Sequence, residues 1–135
     1  MPKRTIRVVS AAIVQDKRYL ITQRTAKAVL PMLWEFPGGR VEDGESDEAA
    51  LMRELHHRLG IEAEICELLS TTEREYDDYV VHLQLYRCEL GPIPAKPLMV
   101  RDLRWVTSDE FELYAFAPAD QTAMDALLFG GRRSH

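Results

Sequence analysis

The chain is short of several things that mark large protein classes. It has two cysteines in 135 residues, Cys66 and Cys88, too few for a disulfide scaffold. They fall on separate predicted strands and are expected to be buried free thiols in a reducing compartment. No apolar run approaches roughly 18 residues, so no membrane span is predicted, and no signal peptide is visible. These absences point to a cytoplasmic protein. Positive charge is not in excess: 17 Lys and Arg stand against 22 Asp and Glu, a net charge of −5. That argues against a broad nucleic-acid-binding surface, whereas a small phosphorylated ligand needs only a local basic patch. No repeat, linker or low-complexity segment divides the chain, so residues 1–135 read as one domain, with about 130–135 as a loose C-terminal tail. A hydrophobic content of 46% is enough for a core in a domain of this length.

Set against these absences is one dense stretch, from Gly38-Gly39 to Gly60-Ile61. Its first half is a glycine-rich acidic loop. Its second half carries Ala50, Leu51, Leu55, Arg58 and Leu59 at spacings of three and four, which predicts a helix. Ser46 is placed to cap its start and Gly60 to end it in a left-handed conformation.

The other elements follow from alternation and breakers. Residues 5–14 read as a strand buried on both faces, with a turn at Gln15-Asp16-Lys17 and a returning strand over 18–24. A loop covers 25–33, before Trp34-Glu35-Phe36-Pro37-Gly38-Gly39. Residues 62–76 and 79–89 alternate and are expected to pair antiparallel about Asp77-Asp78. A proline-rich loop over 91–97 precedes a short strand over 102–106. Ser108 can cap a short helix, and Pro118 opens a last helix running to about Phe129, with Gly130 as its stop. This order predicts an α+β or α/β fold, a mixed sheet with helices packed on it.

The spacing of the central stretch carries a resemblance. A Glu lies six positions after Gly39 (Glu45), Arg53-Glu54-Leu55 begins eight positions later, and Gly60-Ile61 follows. This resembles the Nudix box, G-x5-E-x7-R-E-U-x-E-E-x-G-U with U aliphatic, and matches seven of its nine fixed positions. The other two, both Glu in the box, are His57 and Arg58. Residues Leu20 to Arg24, Trp34 to Gly39 and Ala117 to Asp120 resemble the MutT and CTP-pyrophosphohydrolase branch of that family. The resemblance covers nearly the whole chain and implies the Nudix fold, an α/β/α sandwich with a mixed sheet between helices.

It also implies an activity: hydrolysis of a nucleoside triphosphate, or of a related nucleoside diphosphate derivative, to the monophosphate and pyrophosphate with Mg²⁺ or Mn²⁺. By resemblance Glu54, Arg53 and Glu45 are the catalytic group, with Arg53 orienting Glu54. Gly38 through its carbonyl, Glu54 and His57 are the metal candidates. Arg24, Phe36 and Asp120 would by the same resemblance line the base pocket; Arg58, a departure from the box, would on its own chemistry meet phosphate. Each residue also has a plain reading. Phe36 is core packing, Asp120 is a helix-start acid, and Arg24 is a solvated strand residue. Glu45 is a loop carboxylate, Gly38 part of a tight turn, and Arg53 the partner of a helix carboxylate.

The residue chemistry adds a second functional reading. Glu54, His57 and Arg58 share one helix face. Arginine cannot ligate a metal. At i+4 it can pair with Glu54 and take the cation's place, and His57 suits Mn²⁺ or Zn²⁺ better than Mg²⁺. An acid expected six residues before Trp105 is Met99, with Asp102 the nearest carboxylate. Glu45, Glu42 and Asp102 are candidate replacement ligands. The two functions to separate are therefore a pyrophosphohydrolase and a nucleotide-binding module in which Arg58 replaces the metal.

Overall fold

The computed structural model describes residues 3–129; Gly130 and the expected tail lie outside them. The chain begins with a β-hairpin, β1 (Arg4–Gln15) and β2 (Arg18–Gln23), turned through left-handed Asp16 and Lys17. Two short strands follow, β3 (Trp34–Glu35) and β4 (Gly38–Arg40), then helix α1 (Asp47–Leu59). A long hairpin, β5 (Ala63–Glu75) and β6 (Tyr79–Leu90), leads through a loop to β7 (Asp102–Val106). A 3₁₀ turn (Ser108–Leu113) and helix α2 (Pro118–Phe129) end the described chain.

The long first strand organises the rest. Residues 4–13 of β1 pair parallel with β6, and Val8, Val9 and Ser10 pair antiparallel with β4 on the other side. The end of β1 turns into β2, which also pairs with β3 and β7. The sheet is therefore mixed, as expected.

Alternation on β1 feeds two cores. Val9, Ala11 and Ile13 pack with Ala50, Leu51, Leu55 and Leu59 of α1. On the opposite face Ala12 joins Phe36, Leu83, Leu85, Phe111, Phe116, Ala123 and Met124. Complete burial on both faces is why β1 reads as an apolar run rather than an alternation. The sheet lies between α1 on one side and α2 with the 3₁₀ turn on the other.

Both predicted caps of α1 are in place. The Ala49 N–H donates to Ser46 Oγ at 3.1 Å, and Gly60 adopts φ 68° and receives the chain out of the helix. Two local expectations change. The 3₁₀ turn is capped by Thr107, whose N–H donates to Glu110 at 2.8 Å, not by Ser108. Cys88 is buried, and burial pushes its thiol up to about 12, but Cys66 is exposed. The reason is a β-bulge: Ile65 pairs with Cys88 and Glu67 with Arg87, leaving Cys66 as the extra residue between them.

Candidate active site

The sequence places two glycines just before α1, and each is required by close approach, not by a turn. They form β4. A Cβ on Gly38 would lie 2.0 Å from the Val9 carbonyl oxygen. One on Gly39 would lie 2.5 Å from the Glu54 carboxyl carbon. The bare backbone of β4 thus makes room for the one acidic side chain buried on α1. Glu54 is 8% exposed, beside the apolar stripe of its helix.

Glu54 is engaged at both oxygens. Arg58 Nε donates to Oε1 at 2.7 Å, and Arg53 Nη1 donates to Oε2 at 2.6 Å. Arg53 then grips Glu45 through Nε at 2.7 Å and Nη2 at 2.9 Å, and also donates to the Arg40 carbonyl. These bonds, with the Glu42 N–H donating to the same carboxylate, hold Glu45 down to about 2. In the other direction Arg58 Nη1 lies 3.8 Å from Glu35, and Arg24 Nε lies 3.3 Å from the other Glu35 oxygen. The result is a row of alternating charge: Arg24, Glu35, Arg58, Glu54, Arg53, Glu45.

Two cavities meet along this row. The first, of about 390 Å³, is walled by Ile6, Val8, Val81 and Leu83 and closed by Asp120, with Tyr76 and Tyr79 on its lining. The second, of about 380 Å³, is lined by Arg53, Glu54, His57, Arg58, Met99 and Val100 among others. Arg24, Glu35 and Arg58 belong to both. Asp120 is 5% exposed, and its Oδ1 accepts the Phe36 N–H at 3.1 Å. Burial, then the nearby Glu35 carboxylate, pushes its carboxyl well above the ordinary 3.8. Burial also raises Glu35, against the pull of Arg24 and Arg58.

The expected residues divide between these places. Arg24, Asp120, Arg58 and Gly38 line the first cavity; Glu54, Arg53 and His57 line the second. Phe36 does not line either cavity. Its side chain is 1% exposed, edge-on to Tyr19 and Phe111 and tilted against Phe116, so in this structure its ring offers no face to a base. Glu45 acts at one remove, by holding Arg53. Glu42 and Asp102 line neither cavity, and Asp102 pairs with Arg104 at 2.6 Å. Glu35, the bridge between Arg24 and Arg58, has no distinguishing mark in the sequence. Nor do Tyr76 and Tyr79, which read there as ends of alternating strands.

A hard divalent cation would take oxygen donors. Among the described residues the acids of the second cavity are Glu35 and Glu54, each already paired with guanidinium, facing Arg24, Arg53 and Arg58. Gly38, the third metal candidate, lines the other cavity. This donor set does not fit Mg²⁺. The guanidinium of Arg58 sits on the carboxylate the ion would need, and the cavity's charge suits an anion.

A mixed sheet between helices, with a glycine strand against a charged helix face and a chamber beside it, defines an α/β/α sandwich domain with a candidate site at that face. A NUDIX domain model matches residues 8–126. Over 125 residues the chain is 37% identical to the CTP pyrophosphohydrolase of Escherichia coli (strain K12), covering 91% of each protein. It is 38% identical over 80 residues to the 8-oxo-dGTP diphosphatase of Proteus vulgaris, covering 58% of this chain and 71% of that protein. The solution structure of the E. coli ORF135 protein superposes with a TM-score of 0.82 at 33% identity, covering 98% of this chain and 95% of that one. The chain belongs to the Nudix family, in its MutT and CTP-pyrophosphohydrolase-like branch. Among the described residues, no helix is long and apolar enough to cross a membrane.

Proposed function

We propose that the chain acts on a nucleoside triphosphate or a related nucleoside diphosphate derivative, releasing the monophosphate and pyrophosphate. One observation carries this reading: a chamber walled by Ile6, Val8, Val81 and Leu83, with the buried Asp120 carboxyl at its end, opens, at Arg24, Glu35 and Arg58, onto a guanidinium-rich cleft. A base joined to a polyphosphate has the same two-part character. The base enters the first cavity, where the buried Asp120 carboxyl meets a hydrogen-bonding edge. The phosphates extend into the second, toward Arg24 and Arg58.

Phosphate reaching Arg58 competes for the guanidinium that holds Glu54 Oε1. The released oxygen accepts a proton from the attacking water as the new P–O bond forms, and pyrophosphate leaves as the bridging P–O bond breaks. Arg53 keeps the other oxygen fixed. The test is pyrophosphate release across natural and oxidised nucleoside triphosphates, in parallel with Mg²⁺, Mn²⁺ and EDTA. At least one nucleotide should turn over, and Glu54→Gln should lower that turnover by about 100-fold or more while nucleotide still binds. Unchanged turnover in Glu54→Gln removes Glu54 from the chemistry.

The Arg58–Glu54 bond at 2.7 Å favours a second reading. In it the ion pair stays closed, and the domain holds a nucleotide without cutting it. Silence across the panel, with nucleotide binding that survives EDTA, selects this reading. A strict requirement for Mg²⁺ in binding rules out Arg58 as the metal's substitute.

A further inference from the structure

We propose that Tyr76 and Tyr79, at the tip of the β5–β6 hairpin, form the platform on which the base of the bound nucleotide stacks. The proposal rests on the reading of the first cavity as a base site. A base entering that chamber gains most from an aromatic face. Phe36 offers none, because its ring is enclosed by other aromatics. Among the described residues, Tyr76 and Tyr79 are the aromatic side chains that line the chamber.

The geometry of the two rings suits the role. They flank the two-residue turn Asp77-Asp78, so they stand opposite each other across the hairpin. Their centroids are 4.9 Å apart and their planes 21° apart, a parallel stack and not the edge-on contact seen at Phe36. The stack is held from below. The Tyr76 N–H donates to the Tyr79 carbonyl at 2.8 Å. Lys3 Nζ donates to the Tyr76 carbonyl at 2.6 Å and pairs with Glu75 at 3.0 Å. Tyr79 is also in register with Arg4 of β1. Both rings are half-buried and line the same chamber as Arg24 and Asp120, the two residues read as binding groups. A platform fixed on the hairpin and an acid fixed on α2 would grip a planar ring by its face and by its edge.

Two kinds of probe separate this role from simple clamping of the hairpin. The full chain is titrated calorimetrically with CTP, dGTP and ATP, and separately with inorganic tripolyphosphate, which has no base. Tyr76→Leu and Tyr79→Leu keep apolar bulk and lose the π face; Tyr76→Phe and Tyr79→Phe keep it. The Leu variants should lose about tenfold in nucleotide affinity and stay within about twofold of the parent for tripolyphosphate. The Phe variants should stay within about twofold for both. A parent that binds nucleotide, with Leu variants that bind it equally well, overturns the platform alone. An equal loss for nucleotide and tripolyphosphate also overturns it, since that is the mark of a distorted site. A folded parent that binds no nucleotide overturns the functional reading and the platform together.

Discussion

Asp120 is the residue whose state decides most about the chamber. It binds its proton more tightly in the folded chain than in the unfolded one, where its value is near 3.8. Between that value and the raised one, the folded state holds the extra proton, so stability falls as pH rises through this window. Glu45 has the opposite sign: held to about 2, its contribution is present above the ordinary carboxylate range and is lost as pH falls. Asp120→Asn keeps an oxygen for the Phe36 N–H and cannot ionise. Urea midpoints measured against pH should therefore decline more shallowly on the alkaline side of pH 4 in Asp120→Asn than in the parent. Parallel profiles would mean that Asp120 is ionised in the folded chain.

At this scale the sequence is legible where spacing constrains one side chain against another, as with Glu54 and Arg58 at i and i+4. It is silent where the neighbour comes from far along the chain. Phe36 and Asp120 are 84 residues apart, and only the fold shows that the Phe36 backbone, not its ring, is what Asp120 holds.

The element that sets the geometry is β4, three residues long. Its two glycines predict different outcomes. A methyl at Gly38 meets backbone, the Val9 carbonyl, so the sheet itself must move. Gly38→Ala should cost about 2–3 kcal/mol, read from chemical denaturation. A methyl at Gly39 meets the Glu54 side chain, which must shift and loosen its bonds to Arg53 and Arg58. Gly39→Ala should cost less than Gly38→Ala yet lower turnover, or binding if the chain does not cut. Equal stability losses at the two positions would contradict this division. Helix α1 was readable to both caps because caps are local chemistry. Strand β4 was not: Gly38-Gly39 reads as a loop or tight turn, and what makes it a strand is β1 alongside. The bulge that exposes Cys66 escapes a period-two reading for the same reason, since β5 looks continuous until β6 is laid beside it.

For the whole molecule, the site is assembled from residue 4 in β1 to residue 120 in α2. A ligand that spans it ties both cores together. At a hundred times its dissociation constant, a nucleotide adds about 2.7 kcal/mol, which should raise the melting temperature of a chain this size by roughly 10 °C. The rise should persist in EDTA, and Mg²⁺ alone should move the melting point by less than about 1 °C. A large shift with Mg²⁺ alone would show a cation site that the paired carboxylates argue against. Element order and the two-sided burial of β1 were legible from the sequence. The parallel pairing of β1 with β6, which brings the β5–β6 hairpin tip to the chamber, was not, because strand order depends on contacts of long separation.

The row from Arg24 to Glu45 has an even membership, three cations and three anions, so every charge has a neighbour of opposite sign. A phosphate joining at the Arg24 end makes the count odd. If each arginine then turns one place toward the newcomer, the vacancy travels along the row and comes to rest on Glu45. That carboxylate is the most exposed of the three acids and already accepts the Glu42 amide. Occupancy of the base chamber would thus be announced at the opposite end of α1, as a relay passes a baton.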